Sequence, residues 1–413
     1  MLKVRVREST IVKPAKETPK VCLWTSNLDQ LWVVHAQAVY FYKPPASSTD
    51  CSSDDFFNST VLKDGLSKAL VTYYPLAGRL KRNESGRAEI DCTSEGVIFI
   101  EAETDSYIRD LGEFTPIEQL MPLFPNLDYS DDDISLYPPF LVQVTHFKCG
   151  GVCLSTTISH ILVDGSDLCR GVEEIKPAPF FDRTVLRAGD PAIVSYPHIE
   201  YKLPSINIPS TSPLPKVAIA KLSISTMQAN QLKSESNKEG FRFSTYEVIA
   251  GHIWRCLCKA RELKDDEETT ISIPLDCRLR SSPRLPDGYF GNAIFDLTVK
   301  AVSGDIVSEP LYYAVSLIHE TFMSSGNNGY LSVRTIIKGK GCNFRLSTWV
   351  RLPLYEADFG WGKPVYMGPG VNRFVGRGFL LPNPPGSDDG FFTIIPLESE
   401  YQMNLFKTYF YDI

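Results

Sequence analysis

Methionine, tryptophan and histidine are scarce here, at 6, 5 and 6 residues of 413, and several diagnostic patterns are missing altogether. No apolar run approaches the roughly 20 residues needed to cross a bilayer as a helix. The start, Met1-Leu2-Lys3-Val4-Arg5, is charged and alternating and lacks the apolar centre of a signal peptide, so the expectation is a cytoplasmic protein. The 10 cysteines form no C-x-x-C pair and have no histidine at zinc spacing, which points to reduced thiols rather than disulfides or a metal centre. Cationic residues are outnumbered: 42 Lys and Arg against 49 Asp and Glu leave a net charge of −7, which argues against nucleic acid as a partner. Any anionic ligand must then meet a local basic patch. There is no Gly-x-Ser-x-Gly elbow, so an activated serine nucleophile is not expected, and no repeat of fixed period is visible.

What is present suits a large soluble α/β chain. With 43% hydrophobic and 22% charged residues it can bury a sizeable core, and more than one. Leu62, Leu66, Ala69 and Leu70 mark an amphipathic helix from about Val61 to Val71, ended by Pro75 and Gly78. Strands are expected over Arg87–Cys92 and Val97–Glu101. A hairpin joins Phe140–Lys148 to Val152–Ser159 through Cys149-Gly150-Gly151. The stretch from Asp190 to Pro215, rich in proline and serine, looks like a linker. Beyond it Ser244 and Glu247 form a capping box. The helix they open places Ile249, Ile253, Cys256, Leu257 and Ala260 on one side, with Arg255, Lys259 and Glu262 toward solvent.

The second hairpin strand ends at His160-Ile161-Leu162-Val163-Asp164-Gly165. By strict alternation Val152, Leu154, Thr156, Ile158 and His160 share one face, which sets an imidazole at the end of a buried strand. Such a group is suited to take a proton from a bound substrate; the alternative is a core histidine with satisfied hydrogen bonds. His160 and Asp164 lie four apart, but no third ligand accompanies them, so no metal is expected.

Far downstream stands Asp358-Phe359-Gly360-Trp361-Gly362. His-x-x-x-Asp-Gly followed by Asp-Phe-Gly-Trp-Gly resembles the BAHD family of plant acyl-CoA-dependent acyltransferases. The likeness extends through Tyr74-Pro75-Leu76-Ala77-Gly78-Arg79, Ser244-Thr245-Tyr246-Glu247, Asp276-Cys277-Arg278-Leu279-Arg280 and Tyr289-Phe290-Gly291-Asn292. The opening Val4–Thr10 and Trp349-Val350-Arg351-Leu352-Pro353 are most similar to its hydroxycinnamoyltransferase branch.

The resemblance implies two chloramphenicol-acetyltransferase-like domains, each a mixed sheet with helices, joined by a crossover loop with the active site at the domain interface. The boundaries expected are 1–185 for the domain with His160, 186–215 for the crossover, and 216–413 for a domain with Asp358. It further implies acyl transfer from a coenzyme A thioester, a co-substrate and not a bound cofactor, to a small hydroxyl acceptor such as shikimate or quinate, in a monomer. His160 is the implied general base, with Asp358 the second acid/base candidate. The glycines and Trp361 of that motif favour an architectural role. Ser347, where many relatives carry threonine, and the Trp349 indole are implied near the oxyanion, while Asp164 is implied to pair with Arg278 as structural support. Donor contacts are implied at Ser244, Thr245, Tyr246, Leu285, Pro286, Gly288, Tyr289, Thr348, Trp349, Val350 and Arg351. Acceptor contacts are implied at His35, Tyr40 and Arg334.

Two segments are shorter than the family pattern. Roughly ten residues, nearly three helical turns, are missing after Ser166, and a second shortening falls between Tyr330 and Arg334. Two other readings stand beside O-acylation: transfer to a polyamine or aromatic amine, suggested by Lys43-Pro44-Pro45 and Lys363-Pro364-Val365-Tyr366, and, from the shortening, a relative that binds acyl-CoA without turnover.

Overall fold

The computed structural model describes residues 2–31, 34–44, 56–115, 118–127, 131, 133–165, 177–187, 217–237, 242–281, 283–327, 342–370 and 374–413. In chain order its strands are β1 (Arg5–Val12), β2 (Cys22–Leu23), β3 (His35–Tyr42), β4 (Arg79–Arg82), β5 (Ala88–Asp91), β6 (Val97–Thr104), β7 (Phe140–Phe147) and β8 (Val152–Ser159). They continue as β9 (Ala218–Ile224), β10 (Glu268–Asp276), β11 (Ile294–Val302), β12 (Cys342–Thr348), β13 (Tyr366–Pro369), β14 (Arg377–Pro382) and β15 (Phe391–Leu397). The chain divides into two compact units. The first comprises Met1–Ile193, Leu285–Ala293 and Leu352–Val371, and the second Val194–Arg284, Ile294–Arg351 and Asn372–Ile413.

Unit 1 holds a six-stranded sheet in the order β1-β6-β7-β8-β3-β13 and a small sheet β2-β5-β4. The expected hairpin forms: β7 and β8 pair antiparallel, with Phe140 opposite Ile158 and His146 opposite Val152. Alternation misjudges its environment, because both faces of β8 are covered and only Thr156 is partly open. The second face is polar and only partly satisfied, since Thr157 Oγ1 is buried without a hydrogen-bond partner. Ser155 donates to the Leu123 carbonyl, and the Gln143 amide donates to the Pro122 carbonyl (3.0 Å) and Thr145 (3.1 Å). The helix expected near Val61–Val71 spans Ser59–Thr72, with Asn58 as its N-cap.

Unit 2 holds a six-stranded sheet β11-β10-β12-β14-β15-β9. Ile271, Ile273, Phe344, Leu346 and Leu380 on one face of it join the helices Thr245–Ala260, Leu311–Asn327 and Glu400–Tyr411 in an apolar core. Ser244 caps the first of these, with Glu247 completing the capping box, as the sequence implies. That helix is buried more widely than an amphipathic pattern allows: Val248, His252, Trp254 and Cys258 are covered along with the expected apolar residues. Arg255 does not simply face water, since its Nε donates to the Ile306 carbonyl (2.9 Å).

One domain expectation is corrected. Residues 216–413 are not one domain carrying the Asp358 motif, because Leu352–Val371 returns to unit 1. The physical cause is strand pairing: β13 adds antiparallel to β3, with Tyr366 opposite Phe41 and Pro369 opposite Ala38. Most of the expected 186–215 crossover lies outside the described residues. Among the described residues no helix is long and apolar enough to cross a membrane, and no group of three or more His, Cys, Asp or Glu is placed to hold a metal ion. Cys22, Cys92, Cys149, Cys153, Cys256, Cys258 and Cys277 are free thiols.

Candidate active site

His160 follows β8 directly, in a turn, and is half-buried. Its N–H donates to the Val34 carbonyl (2.8 Å), which ties the end of β8 to the approach of β3. Its ring Nδ1 lies 2.9 Å from Asn292 Oδ1. Asn292 Nδ2 in turn donates to the His160 carbonyl (2.6 Å) and to Asp29 Oδ1 (3.0 Å). Both of those partners can only accept, so the amide orientation is fixed, and the Asn292 oxygen must accept from His160 Nδ1–H. The proton on Nδ1 leaves the Nε2 lone pair as the basic site of the neutral ring.

Asp29 anchors this arrangement from full burial. Ser26-x-x-Asp29 is a capping box at the helix Asn27–Gln30, and it turns the carboxylate back so that Oδ2 accepts from Ser26 N–H (2.7 Å) and Oγ (2.8 Å). Oδ1 accepts from the Asn292 N–H (2.9 Å) and side chain. Arg183, also fully buried, lies 3.9 Å from Asp29 and donates to the carbonyls of Leu162 (2.6 Å) and Phe290 (3.3 Å). One guanidinium thus clamps the turn after His160 to the segment before Asn292. Gly291 makes room for it, since a Cβ there would come within 2.8 Å of Arg183 Nε. Asn292, Asp29 and Arg183 have no role here that the sequence alone reveals. The capping box was the available signal, but it marks a helix start and not a contact 263 residues away.

Asp164 is buried, and its Oδ2 accepts from the Ala293 N–H (3.0 Å). The orienter of His160 is therefore the Asn292 amide, while Asp164 pins the backbone one residue further on. Arg278, expected to pair with it, donates from Nη1 to Asp276 Oδ1 at 3.3 Å in unit 2.

Asp358 is exposed, and its Oδ1 accepts from the N–H groups of Gly360 (2.8 Å) and Gly362 (2.9 Å). Both glycines have positive φ, +91° and +101°, with nothing near enough to crowd a Cβ, so backbone conformation alone demands glycine. Trp361 packs on Phe57 with ring centroids 5.0 Å apart, and Tyr42 donates to the Ala357 carbonyl (2.8 Å). The carboxylate holds a loop. Asp358→Ala is expected to cost about 1–2 kcal/mol of stability, because two N–H groups lose their acceptor, and to change kcat no more than a few-fold. Thermal melting beside steady-state kinetics checks this; an unchanged melting temperature with a hundredfold loss of kcat would make Asp358 chemical.

The acceptor candidates separate. His35 pairs with Ser159 beside the base, its Nε2 lies 3.0 Å from the Pro138 carbonyl, and burial lowers its pKa. Tyr40 stands opposite Leu154, five residues along β3 and on its other face. Arg334 lies outside the described residues, as do both shortened segments. Among the donor candidates, Leu285 and Tyr289 are buried in unit 1, where Phe180 bridges to Tyr289. Gly288 has φ +77°, and a Cβ there would meet the Ala178 carbonyl at 2.3 Å. These residues carry the chain to Asn292. In unit 2, Ser244 is exposed at the helix start beside Thr245, and Tyr246 donates to the Leu346 carbonyl (2.9 Å). Thr348, Trp349 and Val350 are half-buried and Arg351 is exposed, with Trp349 edge-on to Phe379 at 5.3 Å.

The Transferase family profile matches residues 2–413. Shikimate O-hydroxycinnamoyltransferase of Nicotiana tabacum is 42% identical over 446 aligned positions, covering 100% of each chain. The chain belongs to the BAHD transferases. It is an acyl-CoA-dependent acyltransferase. An Avena sativa hydroxycinnamoyl-CoA:5-hydroxyanthranilate N-hydroxycinnamoyltransferase is 38% identical, covering 100% of each chain. Vinorine synthase has the same fold, with TM-score 0.72 at 23% identity over 98% of this chain and 96% of its own. The alignment of 446 positions against 413 residues contains positions of the tobacco enzyme that have no counterpart in this BAHD chain.

Proposed function

We propose that the chain transfers a hydroxycinnamoyl group, p-coumaroyl or caffeoyl, from its coenzyme A thioester to a small hydroxyl acceptor such as shikimate or quinate. The observation that carries the mechanism is the Asn292 amide, which holds His160 with its proton on Nδ1 and its lone pair on Nε2. Nε2 takes the acceptor hydroxyl proton as the oxygen adds to the thioester carbonyl. The tetrahedral oxyanion is met by hydrogen-bond donors, for which Ser347 and Trp349 are assigned. Collapse breaks the C–S bond, and the proton on Nε2 passes to the leaving thiolate. Atoms and charge balance without a metal, a cofactor or a covalent enzyme intermediate. Asp29, Arg183 and Asp164 hold the base and its amide in register.

Similarity to the tobacco O-transferase, at 42%, favours a hydroxyl acceptor, and similarity to the oat N-transferase, at 38%, sustains amine transfer as the second reading. The purified chain is to be assayed with p-coumaroyl-CoA and shikimate, quinate, spermidine and 5-hydroxyanthranilate, with products weighed by mass spectrometry. Arg334→Ala is expected to raise KM for the carboxylate acceptors roughly ten- to a hundredfold and to leave KM for the thioester unchanged. A silent substitution with robust transfer to spermidine would reject the acidic polyol acceptor. No product with any acceptor would favour binding without turnover.

A further inference from the structure

The face of the unit 2 sheet turned away from its apolar core carries a polar group of side chains. In register, Arg345 on β12 stands opposite Ser272 on β10 and Arg377 on β14, and Asp296 on β11 stands opposite Pro274 on β10. Side chains two residues apart on a strand share a face, so Asp296, Arg345, Ser347 and Arg377 all project from that one side. Arg345 Nε donates to both Asp296 oxygens, at 3.1 and 3.0 Å, and its Nη1 donates to Ser347 Oγ. Asp296 and Ser347 are buried, at 7% and 6% exposure. Burial, and secondarily the like charge of Arg345, lowers the Arg377 pKa to about 10, so this guanidinium is still a cation at neutral pH, and it too lies within reach of the Asp296 charge.

A guanidinium has only donors. Ser347 Oγ therefore accepts from Arg345, and the single hydroxyl hydrogen is left to point elsewhere. Without that contact the hydroxyl rotates among acceptors and spends part of its time turned away from any substrate oxygen. A donor that is fixed before reaction needs no reorganisation when charge develops, and a neighbouring cation strengthens it in a poorly hydrated setting.

We propose that Arg345, anchored by Asp296, is a positioning residue for acyl transfer: it occupies one lone pair of Ser347 Oγ, turns the hydroxyl hydrogen away from the guanidinium, and so holds the serine hydroxyl as a ready donor to the oxyanion. This rests on the assignment of Ser347 to the oxyanion. Arg345 itself touches no reacting atom in this account. The pair Asp296–Arg345 tunes a step shared by every acceptor, so its effect falls on kcat and is the same for hydroxyl and amine substrates.

The test is a double-mutant cycle in the full-length chain, with p-coumaroyl-CoA as donor and the best acceptor of the panel, read as kcat and KM beside thermal melting. Ser347→Ala is expected to lower kcat about 10²- to 10³-fold. Arg345→Met is expected to lower kcat roughly tenfold, with KM for both substrates within threefold of the parent. Combined with Ser347→Ala, it should add nothing further. Because Arg345→Met strands a buried carboxylate, Asp296→Asn with Arg345→Met removes both charges together and enters the same cycle if the single variant does not fold. Parental kcat in the Arg345 variants beside an impaired Ser347→Ala would overturn the proposal and leave the Ser347 assignment standing. Losses that multiply in the combined variant, or a raised acceptor KM at unchanged kcat, would overturn it too. Parental kcat in Ser347→Ala would reject the serine assignment and the proposal together, as would a parent enzyme without turnover.

Discussion

His160→Ala is expected to lower kcat about 10²- to 10⁴-fold, with binding of the acyl-CoA donor nearly intact. A neutral hydroxyl is a poor nucleophile until a base accepts its proton, and the Nε2 lone pair of His160 is the base that the Asn292 contact exposes. Removing the ring also takes the donor from Asn292 Oδ1, a residue only 1% exposed, so stability should fall by about 1–3 kcal/mol unless water replaces the imidazole. That cost is below the roughly 5–15 kcal/mol typical of folded proteins, so the catalytic loss is to be measured on the folded variant. Steady-state kinetics and donor titration by tryptophan fluorescence separate the two effects. A kcat within threefold of the parent would remove His160 from the chemistry.

Asp29→Ala should produce the largest loss of stability, about 3–5 kcal/mol. The carboxylate is fully buried, accepts from Ser26 and Asn292 on both of its oxygens, and lies 3.9 Å from the buried Arg183 guanidinium. Its removal strands a cation and four donors at once. Activity should fall with it, because Asn292 then loses one of the two acceptors that fix its amide, and the amide holds the base. Asp29→Asn is the softer control: it keeps an oxygen for one set of donors and loses the charge. Urea unfolding and kcat measured side by side report both effects. An Asp29→Ala chain within 1 kcal/mol of the parent would show that the network does not hold the site.

How much of this was legible in the sequence follows from the range of each interaction. The capped helix at Ser244, the hairpin into His160 and the glycine demand in Asp358–Gly362 are local, set by residues within a few positions of one another, and each was readable. The partner of the His160 ring was not, because Asn292 is 132 residues away and an asparagine carries no signal of the amide it presents. The same holds for β13. Its four residues look like any short apolar stretch, and only their pairing with β3 assigns the preceding motif to unit 1. Alternation also failed where a sheet is covered on both sides: β8 buries polar and apolar faces alike, so its pattern does not tell inside from outside.

The most direct test of the central claim is whether p-coumaroyl-CoA loses its acyl group to an acceptor through His160. The parent chain and His160→Ala, both shown to be folded by circular dichroism, are to be incubated with p-coumaroyl-CoA and shikimate while free thiol release and ester mass are followed together. Stoichiometric thiol and p-coumaroyl ester are expected from the parent, with both at least a hundredfold slower from the variant. Equal rates from the two proteins, or thiol release that no acceptor on the panel accelerates, would contradict it.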